Sequence, residues 1–360
     1  MWIDLLIILI KAFLFLNAVL ILTAFLTWQE RKQSAVMQDR LGANRAEIFG
    51  IRAFGLFHIF ADALKMFFKE DYVPPGSDKL LHTAAPMAAL FFALMSFAAI
   101  PFGDTLTIAG RTIPLTVFPL NVGILFILAM MSMGIYGTFL AGFASNNKYA
   151  FIGGLRASSQ MISYEITMGA TLVGLFMIFG TLDLAELNRA QGGLLWGWIP
   201  MWGVVVQPVG FLLFLTAGIA ETKRIPFDLP EGESEIIGYF VEYSSMKFGA
   251  FFMTDFVETI LIAALVATLF FGGWQVPYLA SDGLHLPWGA SIAMPGAFVT
   301  IVQIAAFGFK VFFFCWFLLL IRWTLPRFRY DQLMRLGWKI LLPISVLNIF
   351  VTGFILLLRR

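Results

Sequence analysis

The sequence predicts an all-α polytopic membrane protein with about eight transmembrane helices. Composition is the first reason: 60% of its 360 residues are hydrophobic and only 13% charged, where a soluble domain carries about a quarter charged residues. Second, apolar runs of about 20 residues, the length that spans a bilayer, recur along the chain. Third, the basic residues collect in alternate loops. The whole of 1–360 therefore reads as one integral membrane domain.

The first run, 3–28, reads as a span and not as a signal peptide, since it is too long, lacks a basic start and has no small-residue cleavage site. A long loop, 29–79, follows. Within it, "RAFGLFHIFADALKMFFKE" is too polar to span. Its polar residues His58, Asp62, Lys65 and Lys69 fall on one helical stripe, with Phe, Leu, Ile and Met on the rest. That pattern predicts an amphipathic interfacial helix. Its stripe is either a solvated surface or the wall of a cavity, with Asp62 and Lys65 in reach of each other at i, i+3. The second span is 80–100. "DTLTIAGRTIPLTVF" places Thr and Ile around a Gly-containing turn and predicts a small hairpin outside the membrane. Further spans are expected at 118–142, 157–179, 201–220, 243–272, 296–321 and 338–358. The Gly- and Ser-rich "GTFLAGFAS" and "GGLRASSQ" permit close helix approach.

Most of the 24 Lys and Arg lie in the first, third, fifth and seventh loops, while the opposite side carries only Arg111, Arg189, Arg359 and Arg360. The positive-inside rule puts the first set in the cytoplasm and both termini outside. Against that bias, the fifth loop, 221–242, is acidic: Glu221, Asp228, Glu231, Glu233 and Glu235 face Lys223 and Arg224. Glu242 continues the acids toward the sixth span.

Ionisable residues also fall inside the spans: Lys11, Glu165, Asp255, Glu258 and Lys310. Each costs on the order of 3 kcal/mol at the bilayer centre, so each asks for a partner or a task. Lys11 can snorkel outward, and Glu258 can serve a buried structural pair. Glu165 and Asp255 are the stronger proton-exchanging candidates, because a desolvated carboxylate exchanges protons near neutral pH. Lys310 is expected to supply a counter-charge to one of them.

Several functions are excluded. The one cysteine, Cys315, allows no disulfide within the chain and no self-contained iron–sulfur cluster, which takes about four. The three histidines, His58, His82 and His285, show no haem or metal spacing. No phosphate loop, dinucleotide fingerprint or hydrolase elbow is present. The scattered bases form no nucleic-acid-binding tail.

Five segments carry a resemblance: "ERKQSAVMQDRLGANR", "ADALKMFFKED", "SNNKYAFIGGLRASSQMISYEI", "AETKRIPFDLPEGESEIIGYFVEYSSMKF" and "IRWTLPRFRYDQLMRLGWKILLP". Spread over nearly the whole chain in family order, they resemble the membrane H-subunit family of bacterial NADH:quinone oxidoreductase, the first complex of the respiratory chain. The resemblance implies a membrane component of the bacterial cytoplasmic (inner) membrane. It would anchor a cluster-bearing peripheral arm and contact other membrane-arm subunits and lipid. It would wall the quinone chamber and couple quinone reduction to proton translocation. Quinone would be the substrate, and flavin and iron–sulfur clusters would reside in partner subunits, with no cofactor bound by this chain. By motif, Glu30, Arg31 and Arg45 would sit at the chamber entrance and Asp62 and Lys65 on the flat helix along it, with Phe227 and Asp228 under the headgroup; His58, a departure from the motif, would join the chamber residues. Glu165, Glu221, Glu231, Glu233, Glu235, Glu242 and Asp255 would form the proton path. The chain departs from the usual pattern at Ala43, His58, Ile59, Lys223 and Ile225, changes expected around the chamber entrance, and has Asp255 where Glu is frequent. Alternatives are the membrane subunit of an energy-converting hydrogenase, a stand-alone ion-coupled transporter, or a structural anchor. No internal repeat of the kind a transporter shows is evident.

Overall fold

The computed structural model describes residues 2–108, 110–195, 197–230, 238–280, 283–285 and 291–358. In chain order the helices are α1 Trp2–Met37, α2 His58–Phe68, α3 Lys79–Ser96, α4 Gly123–Ala144, α5 Lys148–Phe179, α6 Leu184–Gln191, α7 Gly203–Val206, α8 Pro208–Glu221, α9 Ser245–Phe270, α10 Gly296–Thr324, α11 Tyr330–Leu336 and α12 Leu342–Leu358. A π-helical turn, Gly337–Leu341, joins the last two. Among the described residues, seven helical stretches are long and apolar enough to cross a membrane, and the shorter α8 accompanies them.

Several helices begin where a side chain can satisfy the first amides. Asp78 accepts from Leu80 N and Leu81 N at α3, Asn147 from Tyr149 N at α5, and Asp183 from Ala185 N at α6. Gly180, at φ 72°, ends α5 in the left-handed conformation that glycine tolerates.

Two differences from the sequence expectation have physical causes. α1 and α5 run well beyond their apolar stretches, to Met37 and back to Lys148, because apolarity marks where a helix meets lipid and not where its hydrogen bonds end. The fifth predicted span is two helices meeting at Gln207. Pro208 lacks an N–H and takes the first position of α8, so the ladder is interrupted there. Gln207 Nε2 donates to Thr352 Oγ1 at 2.6 Å, and its Oε1 accepts from Asn348 Nδ2 at 2.8 Å, so α12 satisfies the side-chain amide at the break.

At one end of the bundle lie the small sheets. β1 Thr105–Ile108 and β2 Arg111–Pro114 form the expected antiparallel hairpin, and Lys11 donates to Pro114 O at 3.2 Å and Thr116 O at 2.7 Å. The beginning of α1 is therefore on the hairpin side. β3 Leu194–Leu195 pairs β4 Ile199–Pro200, and β5 Leu279–Ala280, β6 Gly283–His285 and β7 Ser291–Ala293 form a third antiparallel set.

α2 lies at the other end. Phe60, Leu64, Phe67 and Phe68 on it are exposed, as an interfacial helix requires, while Asp62 turns inward to Arg31 of α1 at 2.6 Å. The most enclosed helix is α9, packed by α1, α3, α8 and α10. α4 and α5 meet through glycines: a Cβ added at Gly142 would stand 2.7 Å from Ala150 O and 3.2 Å from Gly154 Cα.

Candidate functional site

Beneath α2 the stripe closes a cavity of about 330 Å³, lined by Arg31, Asp62, Lys65, Met66, Lys69, Ser245, Phe248 and Phe252. Asp62 bridges Arg31 at 2.6 Å and Lys65 at 3.1 Å. Ser245 Oγ donates to Met66 O at 2.9 Å and ties α2 to α9. Both readings of the stripe keep a part: Asp62, Lys65 and Lys69 line this cavity, while the Lys65 side chain is also largely exposed. His58 sits at the start of α2, where its Nε2 accepts from the Arg45 and Ala46 backbone amides at 3.2 Å each. It fastens the connector to the helix, and the Arg45 side chain makes no ion pair among the described residues.

Further in, Glu30 of α1 is held by two guanidinium groups, Arg322 of α10 at 2.5 Å and Arg224 at 3.4 Å. Arg224 also lies over the Phe256 ring at 4.0 Å. Asp228 accepts from Arg327 at 2.9 Å. Burial pushes the Asp228 carboxyl up to about 6, against the pull of Arg327 and Arg322. Phe227 is buried, with Tyr164 at 5.8 Å and Phe328 stacked at 5.4 Å. The backbone of this buried loop needs partners. Gln160 of α5 provides two of them, donating to Ala220 O at 2.7 Å and Phe227 O at 2.8 Å, and Phe328 N donates to Pro226 O at 3.0 Å.

Within the membrane, the first residues of the same loop meet α9. Lys223 Nζ stands 3.5 Å from Asp255 and 3.4 Å from Glu258. Glu221 is 2% exposed, and neither of its carboxylate oxygens has a hydrogen-bond partner among the described residues. A cavity of about 10 Å³ lies between Glu221 and Glu258, walled by Met130, Met131, Met161 and Leu261, about the space that one water requires. Glu165 lies among the electrostatic neighbours of Glu221 and accepts a hydrogen bond from Ser132 of α4. Glu242 accepts from Asn147 at 2.7 Å. No described ion pair or hydrogen bond joins Glu242 to Asp255. Glu231, Glu233 and Glu235 lie outside the described residues.

Two sequence expectations change. Lys310 is not the counter-charge. It donates to Phe271 O, Gly273 O and Gln275 O at 2.7, 2.9 and 2.7 Å, beyond the end of α9, and lies 4.8 Å from the Trp202 ring centroid. It satisfies carbonyls that a helix end leaves unpaired. The cation beside the α9 carboxylates is Lys223, expected at the chamber entrance. Glu258, for which a buried pair was one of the expectations, is paired with Lys223 in the same cluster. Arg322, Arg327, Ser132 and Asn147 were not singled out either. A signal for the first two was present, as they flank "WTLP" in a loop whose basic excess faces an acidic one.

A family model described as NADH dehydrogenase matches residues 10–353. The chain is 44% identical over 357 residues to the NADH-quinone oxidoreductase H subunit 1 of Geobacter metallireducens, covering 99% of this chain and 98% of the relative. It is 42% identical over 340 residues to the corresponding H subunit 1 of Cytophaga hutchinsonii, covering 94% and 93% respectively. A third relative, the NADH-quinone oxidoreductase H subunit of Thermomicrobium roseum, is 42% identical over 358 residues, covering 98% and 97%.

Proposed function

The chain belongs to the NADH dehydrogenase family, and on that premise we propose that it is the membrane subunit of a proton-translocating NADH:quinone oxidoreductase. It walls the quinone chamber, anchors the cluster-bearing arm and couples quinone reduction to proton movement. The assembly is carried over from relatives named as NADH-quinone oxidoreductase H subunits.

The observation that carries this reading is the junction at 221–228. One short loop gives Glu221 and Lys223 to the intramembrane carboxylates, and Arg224 and Asp228 to ion pairs with Glu30 and Arg327. Charge that changes on one side of this loop is felt on the other. Two unit charges about 4 Å apart interact by roughly 4 kcal/mol at an effective dielectric of about 20, enough to move a proton between neighbouring carboxylates.

Quinone reduction to quinol consumes electrons and protons in equal number. The electrons come from flavin and iron–sulfur clusters in partner chains, since the single Cys315 is buried and cannot hold a cluster. The cavity under α2 admits the quinone from the bilayer, between an interfacial apolar face and a polar wall. Protons drawn toward the reduced headgroup alter the charge near Asp228 and Glu30. Glu221, Glu258, Asp255 and Glu165 respond by exchanging protons along the membrane interior, and Glu231, Glu233, Glu235 and Glu242 are assigned to the same proton path. The basic loops face the cytoplasm, and both termini face outward.

The test is the purified complex in liposomes. NADH-driven quinone reduction should acidify one compartment, and Glu221→Gln should abolish that acidification in a complex that still assembles. Hydrogen evolution without any quinone-dependent NADH oxidation would replace this reading with the hydrogenase one.

A further inference from the structure

We propose that Lys223 is a resident counter-cation of the carboxylate path: it keeps Asp255 and Glu258 ionised together and so sets how many protons the path holds. The inference rests on the functional reading above and adds a positioning residue to it.

The geometry is specific. The Lys223 side chain is 1% exposed, and its Nζ lies 3.5 Å from Asp255 Oδ1 and 3.4 Å from Glu258 Oε2. These acids are three residues apart on α9 and share one helical face. The Tyr239 ring lies 5.7 Å from the same ammonium. Glu221 of α8 faces the same cluster, with Glu165 of α5 among its neighbours. In the loop, Arg224 is committed to Glu30 and Asp228 to Arg327. Of the lysines within the spans, Lys310 is bound to carbonyls beyond the far end of α9 and Lys11 to carbonyls of the β1–β2 hairpin side.

Two desolvated carboxylates within reach of one atom do not both stay ionised without a cation; one retains a proton. With Lys223 between them both are free to be anions, and the pair is left able to accept a proton from a neighbour. Glu221, across its water-sized cavity from Glu258, is placed to give one.

Residue 223 also adopts φ 54°, a conformation that Asn tolerates and Lys rarely takes. Lys223→Asn relieves that backbone strain, which offsets part of the cost of removing a buried cation, and Lys223→Met removes the cation without that relief, so comparing the two separates proton handling from stability.

The experiment compares purified complexes carrying Lys223→Asn, Lys223→Met and Lys223→Arg by infrared spectroscopy and by the pH profile of proton translocation. We expect the Asn and Met variants each to gain a protonated-carboxyl band at neutral pH. The acid limb of translocation should move to higher pH by about 1–3 units, the effect of an opposite charge at this range. The Arg variant should restore the native band and profile. The proposal is overturned if the Asn variant assembles with neither change, or loses turnover with the profile unmoved. If the native complex does not reduce quinone at all, the functional reading fails, while the infrared comparison still decides the role of Lys223.

Discussion

Glu30 is the only described carboxylate shared by two guanidinium groups, Arg224 and Arg322, and it is mostly withdrawn from solvent. Replacing it with Gln removes the anion that the buried Arg224 and the half-buried Arg322 share. Breaking a buried pair from one side costs about 3–5 kcal/mol, so Glu30→Gln should lower the melting temperature of the complex and the quantity that assembles. Asp228 carries a pH dependence of definite sign. Its carboxyl lies at about 6 because burial disfavours the anion; as pH falls through that value it takes up a proton and Arg327 loses its counter-ion. Wild-type quinone affinity should weaken below pH 6, read as a rising KM, whereas Asp228→Asn should show the weak affinity across the whole range. Lys310 offers the contrast. Lys310→Met strands three carbonyls and should cost stability, by about 1–3 kcal/mol for each buried group left unpaired, with the pH profile of translocation unmoved. The sequence marked Asp228, Glu221 and Asp255 because acid is costly in that setting. It could not rank Lys223 against Lys310, since which cation meets an acid depends on how the loop folds back against α9.

At the scale of elements, α4 and α5 approach through Gly142 and Gly154, where an added Cβ meets backbone and not a side-chain tip. Gly142→Leu should separate the two helices and destabilise by about 1–3 kcal/mol, seen as a lower melting temperature. It should also weaken the Ser132–Glu165 hydrogen bond between the same helices. The small-residue pattern of "GTFLAGFAS" was readable as a close approach, because Gly is what lets backbones near each other. The interfacial character of α2 was readable for a similar reason, as its polar residues keep a helical period. What the stripe faces was not readable: the cavity exists only because α1 and α9 supply Arg31, Ser245, Phe248 and Phe252. The break at Gln207 was hidden as well, because an apolar count over 201–220 is blind to the amide missing at Pro208 and to the bonds by which the Gln207 side chain reaches Asn348 and Thr352 of α12.

Over the whole molecule, the crossings place the start of α1 beside the β1–β2 hairpin and α2 at the opposite end. With the basic loops in the cytoplasm, a membrane-impermeant maleimide added to intact cells should label Thr107→Cys in the hairpin and spare Glu47→Cys near α2. Inverted vesicles should give the reverse. Buried Cys315 should stay silent in both. Equal labelling of the two positions from outside would defeat the orientation.

Length of apolar runs, the basic asymmetry of the loops and the cost of charge in lipid act locally along the chain. The sequence by itself therefore determined an all-α membrane protein, its interfacial helix, its hairpin and the set of acids worth attention. Only the tertiary structure decided which cation neutralises which acid, because Lys223 and Glu258, Arg322 and Glu30, and Arg327 and Asp228 are brought together by the return of distant segments. Electrostatic energy depends on separation in space and on exclusion of water, and neither is written in the order of residues.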